Sequence, residues 1–330
     1  MIEKKSESKI IRWGIIGCGN VTEVKSGPAY QKTKGFELAA VMRRDAIKSE
    51  DYAKRHGVPK FYTDADKLIN DPEIDAVYIA TPPDSHKFYA LKVAQAGKAC
   101  CVEKPMAPNY ADSLAMYKVF KDKDIPLFVA YYRRSLPRFN QVKKWIDDGE
   151  IGEIRDVNWS LYRKASSVDL SKEYNWRTDS NVALGGYFDD LASHGLDLFA
   201  YLLGEIMDVA GFSNNQQGLY TAKDAITACW IHNSGCTGSA SWNFGCNEQE
   251  DCVEVVGSLG KIVFPVFDEN PIVLHADNCK TELFIKHPDN VQLYHVENMK
   301  EHFLGNSLHP SDGESGLHTS WVMDKIMGII

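Results

Sequence analysis

Lys98-Ala99-Cys100-Cys101-Val102-Glu103-Lys104-Pro105 is a short apolar run that stops on a charge pair and a proline. As a strand it must end there, because proline lacks the N–H that a central ladder requires. Lys104 is then delivered to the carboxyl end of a sheet, the edge at which open α/β sheets bind ligands. An ammonium held there beside Glu103 suits acid–base chemistry. The tripeptide alone fits a surface loop equally well, so its neighbours decide.

Working outward, residues 10–16 form a buried-strand pattern followed at once by Gly17-Cys18-Gly19-Asn20-Val21. A tight glycine turn after a first strand lets backbone N–H groups meet a pyrophosphate. Thr22 stands at the third fingerprint position, where Gly or Ala is usual. Further strand patterns lie at 36–41, at 75–80 leading into Thr81-Pro82-Pro83, at 98–102 and at 126–130. Helical patterns separate them, notably 84–96 with Asp84 as N-cap. Strands alternating with helices predict an α/β Rossmann-like, doubly wound parallel sheet. The second strand runs into Met42-Arg43-Arg44-Asp45. Positive charge at that point favours the 2′-phosphate of NADP over NAD, although Asp45 is also within reach of a ribose and the arginines also fit a solvated loop.

Beyond Tyr131 the pattern changes. Residues 139–148 read as an amphipathic helix stopped by Gly149, and alternating strand patterns follow at 155–162, 224–232, 235–244, 252–256 and 261–266. With no helices between them, these strands predict an α+β domain built on a large open, mostly antiparallel sheet. Two domains are expected, 1–130 for the dinucleotide and 131–330 built on the second sheet. Residues 187–203 have helical spacing that sets Asp190, His194 and Asp197 on one face of an otherwise apolar helix. A carboxylate one turn from an imidazole can fix its tautomer and make a usable acid–base group; a surface pair or a satisfied core histidine fits the same spacing. No cluster of Cys and His supports these residues as a metal site, so none is expected.

Hydrophobic residues at 44% and charged residues at 25% are those of a globular protein, and the net charge of −8 argues against a nucleic-acid partner. Eight cysteines without a C-x-x-C pair suit a reducing compartment. The polar first nine residues carry no apolar signal core, and no run reaches membrane-span length. A cytoplasmic protein with no membrane partner is expected.

The chain resembles the glucose–fructose oxidoreductase / inositol dehydrogenase / MocA-type oxidoreductase family. The resemblance rests on Gly14-Ile15-Ile16-Gly17-Cys18-Gly19-Asn20, on Thr81-Pro82-Pro83 with His86, and on Ala96-Gly97-Lys98 leading into Glu103-Lys104-Pro105. Trp176-Arg177 and residues 185–197 continue it. It implies that Lys104 is a proton donor near the nicotinamide, with a proline that often follows a cis peptide, that His194 is a general acid/base near the substrate carbonyl, and that Asp190 orients it or contacts the substrate. It further implies cofactor-facing positions at Gly17, Cys18, Gly19, Asn20, Val21, Arg43, Arg44, Thr81, Pro82, His86, Glu103, Lys104, Trp176 and Arg177. Leu184 replaces the first glycine of the usual three-glycine run, which affects the pocket floor. The implied protein is an NAD(P)-dependent dehydrogenase of a sugar, cyclitol or related polyol. The resemblance also assigns substrate and oligomerisation to the 131–330 domain. It implies a homodimer or homotetramer formed through the antiparallel sheet, and a terminal helix near 314–327 that folds back toward the first domain. A dihydrodiol dehydrogenase is the alternative enzyme, and a non-catalytic NADP-sensing regulatory protein is the alternative of another class.

Overall fold

The computed structural model describes residues 10–330. The polar N-terminal stretch falls outside the described residues. Six parallel strands form the first sheet: β1 (Ile11–Ile16), β2 (Phe36–Met42), β3 (Lys60–Tyr62), β4 (Ala76–Ile79), β5 (Ala99–Val102) and β6 (Leu127–Val129). Their spatial order is β3-β2-β1-β4-β5-β6, the expected doubly wound arrangement. The strands are continuous apolar runs because helices cover both faces, and β4 and β5 are buried along their whole length. β1 lies between β2 and β4, so the turn after it sits where the strand order reverses.

That turn demands glycine. Gly17 has φ +92°, and a Cβ there would lie 2.7 Å from Thr81 Cγ2 and 3.0 Å from the Ala80 carbonyl. Thr22, the irregular fingerprint residue, is wholly buried. Its hydroxyl accepts from Gly19 N at 3.0 Å and donates to Gly19 O at 2.8 Å, which pins the start of the helix Asn20–Val24. The expected cap at Asp84 is displaced: Asp84 lies in a 3₁₀ turn, Pro83–Ser85, and the helix begins at His86.

The second sheet has eight strands: β7 (Ile154–Tyr162), β8 (Ile206–Asn214), β9 (Ala225–His232), β10 (Thr237–Asn243), β11 (Glu250–Gly257), β12 (Gly260–Phe264), β13 (Ile272–Ala276) and β14 (Cys279–Leu283). The order is β14-β13-β12-β11-β7-β10-β9-β8, antiparallel except for the β7–β10 pair. Alternation buries Val157, Trp159 and Leu161 on one face of β7. The helix Tyr187–Leu203 lies on that face, with Phe199 5.6 Å from Trp159 and Phe188 5.0 Å from Trp242 by ring centroids. Gly195 weakens the helix by propensity, yet it is required: a Cβ there would overlap the Trp159 ring.

The chain forms two compact units, but not in simple chain order. One comprises the chain up to Glu103, Ala115–Tyr132 and Pro288–Gly313; the other comprises Lys104–Leu114, Arg133–His287 and Glu314–Ile330. The chain passes between the units after Glu103, Leu114, Tyr132, His287 and Gly313. Residues 288–313 join the first unit because Ser311 hydrogen-bonds Val129 through both backbone and hydroxyl, and because Phe303 packs against Trp13, Phe36 and Phe128. The terminal helix Gly313–Ile326 belongs to the second unit from Glu314 onward, where Thr319 donates to Asp197 and His318 to the Ile206 carbonyl. No helix among the described residues is long and apolar enough to cross a membrane, and all eight cysteines are free thiols.

Candidate active site

Lys104 follows the last residue of the first unit, and the Lys104–Pro105 peptide is cis. Its ammonium donates to the backbone carbonyl of Asp190 at 2.8 Å and forms an ion pair with Asp190 Oδ1. Arg177 donates from Nε to the other carboxylate oxygen at 2.8 Å, with its guanidinium 4.3 Å from the Trp176 ring centroid. Asp190 thus lies between two cations. Burial alone would raise its pKa, but Lys104 and Arg177 outweigh burial and hold the carboxyl well below the usual carboxylate range. Asp190 therefore binds Lys104 and Arg177 together, the ammonium through both its carboxylate and its backbone carbonyl.

His194 stands one helical turn beyond Asp190 and is buried. Its ring meets the edge of Phe267 at a centroid distance of 5.9 Å. Asp197, one turn further on, is fully buried and is gripped by Arg134 through Nε and Nη2, both at 2.8 Å, with Thr319 donating at 3.2 Å. Asp197 is therefore structural. Removing one partner of such a pair costs about 3–5 kcal/mol. Asp189, beside Asp190, has the opposite fate: it accepts from Gly185 N at 2.9 Å, but burial, with Asp324 and Asp190 nearby, pushes it up to about 7. Adjacent carboxylates pushed apart in pKa are common where acid–base chemistry is done. Asp189 carried no sequence signal of its own, because its difference from Asp190 is one of burial and partners.

The expected cofactor-side residues separate into those around the glycine turn and those near Asp190. Gly17, Cys18, Gly19, Asn20 and Val21 form the turn after β1, and Thr81 packs on Gly17. A Cβ on Gly19 would meet nothing nearer than the Gly17 carbonyl, at 3.8 Å. The turn is therefore open at Gly19, while the N–H groups of Gly17 and Cys18 are held by the Met42 carbonyl and that of Gly19 by the Thr22 hydroxyl. Arg43 donates to the Cys18 carbonyl at 3.2 Å, Arg44 is exposed, and the Asp45 carboxylate caps the following helix through Lys48 N. Pro82 initiates the 3₁₀ turn after β4. His86 is wholly buried, and its Nε2–H donates to the Thr81 carbonyl at 2.8 Å, so it braces that turn from behind. Glu103 is likewise turned inward, its Oε1 accepting from Tyr78 OH at 2.5 Å and Gln292 Nε2 at 2.7 Å. Trp176 and Arg177 lie with Asp190 in the second unit.

Residues 11–131 match the GFO/IDH/MocA oxidoreductase family, NAD-binding Rossmann fold, and residues 139–263 match the GFO/IDH/MocA C-terminal domain. Oxidoreductase P35 of Formosa agariphila is 35% identical over 319 residues, spanning 96% of this chain and 98% of that protein. Levoglucosan dehydrogenase of Pseudarthrobacter phenanthrenivorans is 34% identical over 179 residues, 54% of this chain and 42% of that one. A solved structure of levoglucosan dehydrogenase in complex with NADH and levoglucosan has a TM-score of 0.83 and covers 96% of each chain. At 23% identity that likeness shows the fold.

Asp190→Asn leaves Lys104 and Arg177 without their shared anion. Because the native pKa is depressed, the stabilisation from this carboxylate is fully present above the unfolded value and is lost as pH falls below it. Denaturant titrations should show wild type more stable than Asp190→Asn by a constant margin from about pH 5 to pH 8, narrowing below about pH 4. A margin that shrinks toward pH 8 would contradict the ionised assignment.

Proposed function

The chain belongs to the GFO/IDH/MocA family of oxidoreductases, and we propose that it transfers a hydride between a nicotinamide and the hydroxyl- or carbonyl-bearing carbon of a sugar, cyclitol or related polyol. The observation that carries this reading is the Lys104–Asp190 ion pair one helical turn from His194. The bound nicotinamide supplies or accepts the hydride. Lys104, paired with an anion, is a hydrogen-bond donor: it holds and polarises the substrate oxygen. His194 takes the hydroxyl proton in oxidation and returns it in reduction. Asp190 fixes the ammonium, and Arg177 shares that carboxylate at the rim of the site. The names of relatives support the substrate class, since a levoglucosan dehydrogenase is among them.

On a confirmed substrate, Lys104→Met should lower kcat by about 10²–10⁴ while the nicotinamide nucleotide still binds. Full turnover by this variant would remove Lys104 from the chemistry. The substrate panel should include sugars, cyclitols and aromatic dihydrodiols. Tight NADPH binding with no turnover on any of them would instead favour a non-catalytic sensor.

NADP is the proposed preference. Asp45 is engaged as a helix cap, whereas Arg44 is exposed beside Arg43 at the end of β2. A 2′-phosphate needs that positive charge. Arg44→Ala should weaken NADPH binding at least about tenfold and NADH binding little; equal losses for both, or none, would favour NAD.

Homo-oligomer formation through the second sheet is supported by its outward face. Ala210, Cys229, Ser239 and Asn158 align there across β8, β9, β10 and β7, flanked by exposed Phe212 and Ile231. Small side chains beside exposed apolar ones allow close approach of a second copy. Ile231→Lys should shift the species seen by sedimentation toward monomer, and an unchanged distribution would place the interface elsewhere.

A further inference from the structure

The loop between β12 and β13 carries no recognisable motif, yet several side chains of the second unit hold its backbone. Asp251, near the start of β11, accepts from three successive backbone N–H groups: Val266 at 3.1 Å, Phe267 at 2.5 Å and Asp268 at 3.2 Å. The Trp159 indole donates to the same carboxylate at 3.1 Å. Two buried arginines hold the loop by its carbonyls. Arg133 donates to Val266 O at 3.0 Å, and Arg138 donates to Asp268 O at 2.9 Å and Asn270 O at 2.8 Å. A hairpin loop needs none of this to turn. The product of the restraint is the position of one ring, Phe267.

That ring is only partly buried. The Arg133 guanidinium lies 4.4 Å from its centroid, Trp159 stacks near it at 6.4 Å, and His194 meets it at 5.9 Å. Trp159 is the residue that lies under Gly195, so the imidazole and the phenyl ring are set from one scaffold. We propose that Phe267 is a specificity-determining wall of the substrate site: it packs against the C–H face of a ring-shaped polyol whose reacting oxygen lies at His194. Aromatic surfaces select apolar faces, and a pyranose or cyclitol presents one, whereas an open-chain polyol must first be ordered into such a shape. The inference rests on the acid–base reading of Lys104 and His194, but its test does not require turnover.

Equilibrium binding to the NADPH-loaded protein is measured for myo-inositol and D-glucose as cyclic probes, and for D-sorbitol and ribitol as open-chain probes. Turnover is followed in parallel. Wild type is expected to bind a cyclic probe more tightly than the open-chain ones. Phe267→Ala should weaken cyclic binding about three- to tenfold and change open-chain binding less than about twofold, and Phe267→Tyr should restore the discrimination. Unchanged NADPH affinity verifies that the variants are folded. If Phe267→Ala affects both classes equally, or neither, or if no cyclic probe binds, the wall is refuted. Turnover with Phe267-independent binding sinks the wall and keeps the acid–base pair; Phe267-dependent cyclic binding without turnover does the reverse.

Discussion

The second unit turns on the fit of one indole against one helix backbone. Trp159 is fully buried on β7, and its ring occupies the space a side chain at 195 would need. An alanine there would gain helix propensity and lose the fit, because interiors packed at crystal density cannot absorb an added methyl group without displacement. With glycine the helix settles on the sheet in one rotational setting. That setting determines where Asp190, His194 and Asp197 point. The indole also spends its N–H on Asp251, so the contact that places the helix also anchors the loop bearing Phe267.

Three polar residues on one face of an apolar helix invite the assumption of one shared role. Their environments separate them. Asp197, at the buried end, is neutralised by a two-point pair with Arg134 and a hydroxyl from Thr319. An isolated charge there would be intolerable, and even a paired one is weak evidence of added stability. Asp190, at the less buried end, binds two cations whose own side chains retain some exposure. His194 lies between them, against an aromatic edge. Depth along a single helix thus gives three polar residues of similar spacing three different sets of partners.

Much of this was legible in the residues. Apolar runs marked β1, β2, β4, β5 and β6, because strands buried on both faces read as continuous apolar runs whose shortness and flanking glycine and proline distinguish them from helices. The helix 187–203 was readable from its spacing. The short β3 and the edge strand β14 carry too few apolar residues to stand out, and β14 is largely exposed. Long-range pairing was not legible. Nothing local to Glu103 indicates Tyr78 and Gln292, and nothing near Phe267 indicates Asp251 or Arg138, since those contacts exist only after distant strands have been laid side by side. Thr22 was legible as a departure from the fingerprint but not as a cap, which required the geometry of Gly19.

Glu103 and Lys104 illustrate how adjacent charges come to serve different ends. Glu103 N continues the ladder to the Ile79 carbonyl at 2.8 Å, and its side chain is fixed by Tyr78 and Gln292. The backbone entering Lys104 is therefore held by a strand and by a buried carboxylate. At the other end of the side chain, the ammonium is held by the Asp190 carbonyl and carboxylate. A lysine restrained only at its backbone keeps about 1.5–2 kcal/mol of rotamer entropy that it must give up to hold one position. Restrained at both ends, Lys104 has met that cost during folding. Asp190 therefore fixes the position of the Lys104 ammonium, and a buried carboxylate also matched by Arg177 does this without leaving an unpaired anion.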